Sequence, residues 1–172
     1  LTQLNIQVFS GCTALESITI PSSVRYMAEN VFENCTALKS VSFPADSPIR
    51  DILANTFLNC TALEQIALPE NLTHLGDYVF KGCTALENIY LPKTLTTLDI
   101  GVFYGCTGLK EISLPNALSS VKSQIFSYCS ALKNVTLPPK MSTIPISMFS
   151  YCTALETINL TNNIHSIDSY AF

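Results

Sequence analysis

The sequence predicts a solenoid, a stack of similar turns whose short parallel strands lie side by side and whose returning segments cover the opposite side. Three observations carry this expectation. A short phrase, Phe, two residues, Cys and then usually Thr-Ala-Leu, recurs along all 172 residues. Its cysteines stand at Cys12, Cys35, Cys60, Cys83, Cys106, Cys129 and Cys152, spaced by 23 residues except for one gap of 25. A fixed period of roughly 20 to 50 residues marks a solenoid, propeller or array. Finally, one such unit cannot bury its own apolar row, whereas stacked units can, each touching only its neighbours.

Each unit is read in order from its Cys. In Cys83-Thr84-Ala85-Leu86-Glu87-Asn88-Ile89-Tyr90-Leu91-Pro92, Ile89 and Leu91 fall on one face and Tyr90 on the other, the period-2 alternation of a short strand. Proline then removes a ladder donor and ends the strand. Six strands stop this way, at Pro21, Pro44, Pro69, Pro92, Pro115 and Pro138, with Thr161 in the equivalent place of the last. Two more apolar positions follow in each unit, such as Leu72 and Leu75, Leu95 and Leu98, or Met141 and Ile144, and lead to the Phe. Two residues beyond it, Gly11, Asn34, Asn59, Gly82 and Gly105 indicate a left-handed residue ending a helical turn. Tyr128 and Tyr151 break that preference and predict a strained or differently built turn. The two extra residues between Cys35 and Cys60, around Ala45-Asp46-Ser47-Pro48, fall after the strand of that unit and predict a bulge that leaves the register intact.

The pattern Leu-x-x-Ile-x-Leu-Pro-x-x-Leu-x-x-Ile, joined to Phe-x-x-Cys-Thr-x-Leu, resembles the leucine-rich repeats of the BspA-like, treponemal-type class over the entire chain. The resemblance implies an α/β repeat fold: a right-handed solenoid with a parallel sheet on its concave face and short helical or irregular returning segments. It further implies a secreted or cell-surface protein used for adhesion, with no fixed binding motif to carry over. Residues 1–172 then form one domain of about seven repeats. Both ends stop within a repeat, with no polar capping unit, which predicts a piece of a longer array.

Composition narrows the functions. A net charge of −4 with no Lys/Arg run lacks the basic stripe that nucleic acid requires. No apolar stretch reaches the roughly 18 residues of a membrane span, so no direct membrane insertion is expected. Metal sites cluster their ligands, whereas no two cysteines are close in sequence, and His74 and His165 read as solvated turn residues. Stacking would bring equivalent cysteines within disulfide distance, but equivalent side chains point the same way and resist the required torsion. A ladder of reduced, buried thiols beside a spine of Phe9, Phe32, Phe57, Phe80, Phe103, Phe126, Phe149 and Phe172 is expected. A catalytic cysteine is unique, and this one is in every unit. With no phosphate loop, nucleophile elbow or zinc-protease helix, the expectation is a non-enzymatic chain without metal or cofactor.

A partner is expected on the outward sheet face, where residues vary because folding does not need them. Flanking the strands run Glu16, Lys39, Glu64, Glu87, Lys110, Lys133 and Glu156, then Ser17, Ser40, Gln65, Asn88, Glu111, Asn134 and Thr157. Most of these positions are simply solvated. Tyr90 is the one aromatic in a row of small residues, and Tyr is favoured at binding hot spots. The candidate site is therefore Tyr90 with Glu87, Glu111, Lys110, Asn88, Gln65 and Asn134, and the expected partner is a protein. A spacer projecting another domain and the recognition part of a larger effector are the alternatives. Tyr104, Tyr128 and Tyr151 form a second group, read as covering the ends of the Phe spine. Asn-x-Thr at Asn34, Asn59, Asn71, Asn134 and Asn159 matters only where secreted proteins are glycosylated.

Overall fold

The computed structural model describes residues 1–172 and contains 14 short strands and no helix. The strands form two columns along the stack. The first holds Ser17–Thr19, Ser40–Ser42 and Gln65–Ala67, and then Glu111–Ser113, Asn134–Thr136 and Thr157–Ile158. The second holds two-residue strands at Gln3–Leu4, Tyr26–Met27, Asp51–Ile52, His74–Leu75, Thr97–Leu98, Ser120–Val121, Thr143–Ile144 and Ser166–Ile167. Every pairing is parallel and joins equivalent positions of adjacent units, as in Ser17 with Ser40 with Gln65 and Glu111 with Asn134 with Thr157.

The expected helical returning segments are absent, and the hydrogen bonds explain why. In an α-helix each N–H is taken by the carbonyl four residues back. Here the Phe amides donate across the stack: Phe32 to the Thr56 carbonyl, Phe57 to Val79, Phe80 to Val102 and Phe103 to Ile125, at 2.8 to 3.0 Å. Two left-handed residues per turn also break any helical run. One is the expected position after the Phe. The other, two residues before it, carries Gln7, Asn30, Asn55, Tyr78, Gly101, Gln124, Ser147 and Tyr170, with φ between 55 and 62°. Tyr128 and Tyr151 adopt the same left-handed geometry as the glycines they replace, at φ 64 and 61°, so the turn is built alike throughout.

One continuous core of 43 buried residues runs the length of the stack. Its centre is the Phe spine. Neighbouring rings from Phe9 to Phe172 stack with centroids 5.3 to 5.7 Å apart. Beside it runs the thiol ladder, in which every Sγ after Cys12 donates to the Phe carbonyl of the preceding unit, as Cys35 to Phe9 at 3.0 Å, Cys83 to Phe57 at 3.3 Å and Cys106 to Phe80 at 3.1 Å. All seven cysteines are free.

The columns are interrupted in three places. The extra residues between Cys35 and Cys60 leave the first column in register, as expected, but Tyr26–Met27 and Asp51–Ile52 are not paired across them. Further along the second column, Ser120–Val121 and Thr143–Ile144 are not paired with each other. There Pro145 occupies the position from which Ala28, Gly76, Asp99, Lys122 and Asp168 each donate to the preceding unit, and proline has no N–H. The third interruption is in the first column at the fourth unit. The Ile89-Tyr90-Leu91 alternation faces inward and outward as expected, yet these residues form no strand.

Close approach of neighbouring turns is also visible at Gly108, which stands where the other units carry Ala, or Ala131 after Ser130. A Cβ there would run into the Thr84 carbonyl oxygen, a main-chain atom of the fourth unit. Restoring the repeat consensus with Gly108→Ala is expected to destabilise the chain by about 1–3 kcal/mol through overpacking. Equilibrium denaturation checks this, and a stabilised variant would contradict the packing.

Candidate functional site

The outward face of the first column is built from positions that the core leaves free. Three ion pairs tie its flanking row across adjacent units: Lys39 to Glu16 at 2.9 Å, Lys110 to Glu87 at 2.6 Å and Lys133 to Glu156 at 3.0 Å. All are solvent-exposed and contribute little stability, roughly 0–1 kcal/mol each. They do neutralise charge locally. Glu111 and Lys93 are exposed and belong to none of these pairs.

At the interruption in the first column the face opens into a hollow of about 950 Å³. Gln65, Asn88, Tyr90, Glu111 and Asn134 all line it, so five of the seven residues chosen from the sequence share one concavity. Lys110 and Glu87 do not line it and are paired with each other nearby. Tyr90 is 62 % exposed. The apolar floor comes from Ile66, Ile89, Leu91, Ile112 and Leu114, of which Ile89 is only half-buried while its equivalents Ile66 and Ile112 are buried.

The main chain of this unit is what sequence patterning could not show. Ile20 donates to the Ser42 carbonyl at 2.9 Å and Leu114 to Thr136 at 3.0 Å, closing the end of the first column in their units. Leu91 holds the same repeat position and, like Phe43, Leu68, Leu137 and Leu160, donates to nothing. No N–H or C=O of Asn88, Ile89, Tyr90 or Leu91 takes part in a hydrogen bond within the protein. Backbone polar groups in a sheet are normally paired, and four consecutive unpaired residues set this stretch apart.

Other features differ from their expected roles. His74 is not a lone turn residue. It lies on a second-column strand between carboxylates of two other units, with Nε2 2.7 Å from Asp99 Oδ2 and Nδ1 3.5 Å from Asp51 Oδ1. The tyrosine group is longer than expected, with Tyr78 and Tyr104 half-buried and Tyr128 and Tyr151 exposed. Tyr78, Tyr104, Tyr128 and Tyr151 form a continuous series, the last two rings stacked 4.5 Å apart, and Lys81 Nζ sits 5.0 and 5.1 Å from the Tyr78 and Tyr104 ring centres. The Asn59 sequon amide donates to Asn34 Oδ1 at 3.0 Å, so it serves an inter-unit contact.

Burial works against nucleophilic chemistry at the thiols of the ladder's interior. Burial pushes Cys60 up to about 12 and Cys152 up to about 11, and raises Cys83, Cys106 and Cys129 well above the ordinary thiol range. A nucleophilic cysteine needs the opposite shift.

A parallel solenoid of this repeat length, with a Phe spine and a thiol ladder, defines a leucine-rich-repeat protein. The chain belongs to the BspA-type leucine-rich-repeat family, whose six-copy repeat region matches residues 1–99 and 74–172. It is similar in structure to the leucine-rich repeat protein of T. pallidum, with a TM-score of 0.84 and 29% identity over 90% of this chain and 72% of that one. It is also similar to a leucine-rich repeat protein from Bacteroides ovatus, with a TM-score of 0.73 and 29% identity over 97% of this chain and 49% of that one. A leucine-rich cell surface protein from Faecalibacterium prausnitzii superposes with a TM-score of 0.64 and 26% identity over 98% of this chain, which spans 51% of its length. The comparison with curated proteins gives no match. No helix is long and apolar enough to cross a membrane.

Proposed function

We propose that this chain is a protein-interaction module of a secreted or surface-displayed protein, and that it engages its partner through the outward face of the first column at Tyr90. The observation that carries the reading is the coincidence of an exposed aromatic with a hollow on a face that is otherwise small, polar and flat. Tyr offers a large, rigid contact, and hot spots concentrate where such a group is surrounded by residues that exclude water. The cell-surface description of the Faecalibacterium neighbour supports the compartment. Adhesion to another cell or to a host protein is the use that fits a repeated, extended face gathering many modest contacts.

The test is a binding screen of the chain against purified extracellular and cell-surface proteins, repeated with the Tyr90→Ala/Glu111→Ala double variant. Loss of about 2 kcal/mol, or roughly thirtyfold in affinity, is expected for a hot spot. A spacer would bind nothing. A partner held equally by both forms would move the site elsewhere.

A further inference from the structure

We infer that the hollow at the fourth unit captures the main chain of an extended peptide segment of the partner. This rests on the sheet-face reading above and goes beyond it by naming what is bound and by which atoms. Three observations converge on it.

The first is the free backbone. Asn88 to Leu91 present N–H and C=O groups that no part of the protein satisfies. The adjoining strands Gln65–Ala67 and Glu111–Ser113 each have a ladder partner on one side only, the side away from the fourth unit. The Asn88 to Leu91 stretch itself lies between those two strands, held by Ala85 to the Thr61 carbonyl and Lys110 to the Glu87 carbonyl, so its unpaired main-chain groups are what an extended ligand on the outward face would meet, with alternate side chains supplying specificity. A glycan or a globular convex surface has no regular row of amides to offer here.

The second is the shape and lining. A volume of about 950 Å³ lies in the range of sites that enclose several residues' worth of ligand. Its floor is apolar at Ile66, Ile89 and Ile112, and its walls carry the amides of Gln65, Asn88 and Asn134. Those amides both donate and accept, as a peptide backbone requires. Asn134 already accepts from Thr157 Oγ1, which holds its side chain in place.

The third is charge. Glu111 opens its strand and Lys93 follows Pro92 at the far end of the neighbouring Asn88 to Leu91 stretch, so charges of opposite sign outside the ion pairs stand toward opposite ends of the hollow. The nearby Glu87 and Lys110 cancel one another. The complementary segment is a strand with a basic residue at the Glu111 end, an acidic residue about five positions along at the Lys93 end, and a β-branched or aromatic residue between them to meet Ile89 and Tyr90.

The experiment is selection from a displayed library of short random peptides on the whole chain, followed by binding measurements on the leading synthetic peptide. Enriched sequences are expected to carry the opposite charges at that spacing. N-methylation of the peptide's central amides is expected to weaken binding about tenfold or more, as is Glu111→Gln, and the bound peptide is expected to slow hydrogen exchange at Asn88 to Leu91. Failure to enrich any peptide overturns the inference. So does a peptide indifferent to N-methylation, or oligosaccharides from a glycan array competing for Tyr90 in its stead. A protein partner that loses affinity with Tyr90→Ala yet leaves the Asn88 to Leu91 amides exchanging freely would keep the sheet-face reading and remove main-chain capture alone.

Discussion

Phe80→Ala is expected to cost about 3–5 kcal/mol of stability, the range for removing a buried aromatic ring and leaving its cavity. Phe80 is fully buried, and its ring stacks 5.4 Å from Phe57 and 5.5 Å from Phe103, nearly parallel to both. The site cannot collapse around the gap, because the flanking amides are fixed by inter-unit bonds such as Phe80 to the Val102 carbonyl at 2.8 Å. In a solenoid each unit contacts only its neighbours, so the loss falls on both interfaces of the fourth unit. Phe9, half-buried and stacked on one side only, provides the internal control with a smaller cost. Equilibrium denaturation of the two variants checks the contrast, and equal small losses would contradict a cooperative spine.

The thiols are expected to react in two sharply separated classes. Cys12 is exposed and should react in the native protein at the rate of an ordinary thiol. Cys60, raised from 9.0 to about 12, has a thiolate fraction about a thousandfold smaller at neutral pH, before its burial is counted. Cys35, Cys83, Cys106 and Cys129 are buried as well, and the partly exposed Cys152 should fall between the classes. Under denaturing conditions all seven should react at one rate. Time-resolved thiol labelling with peptide mapping reads this directly. Fewer than seven thiols after unfolding would mean disulfides, and several fast thiols in the native chain would mean an open ladder.

These internal features were legible in the sequence because each rests on a residue type repeated at one phase. A Phe, a Cys and an alternating apolar pair recur in every unit, and only stacking buries them all. The outward rows were legible by the same logic, as positions where the type varies. The returning segments were not, because their Gly and Asn signals suit a helix end as well as a turn whose amides donate to the next unit. The second left-handed position left no composition signal. Its occupants include Gln7, Tyr78, Ser147 and Tyr170, and inter-unit bonds hold their backbones in place. The broken rung at Pro145 follows from a proline at a donor position, but the donor role of that position shows only in the structure. The contact of His74 with Asp51 and Asp99 spans three units and no local motif encodes it. The open main chain at Asn88 to Leu91 is likewise invisible to patterning, because Leu86-x-x-Ile89-x-Leu91-Pro92 repeats the consensus in full.

The central claim is that the fourth unit leaves its main chain unpaired at the face proposed to bind the partner. Residue-resolved hydrogen exchange on the free chain tests it most directly, by comparing Leu91 with Ile20 and Leu114 at the same repeat position. The Leu91 amide, with no acceptor, is predicted to exchange far faster than the amides of Ile20 and Leu114, which donate to Ser42 and Thr136. Equal protection at all three positions would mean that the ladder is continuous, and would contradict the account.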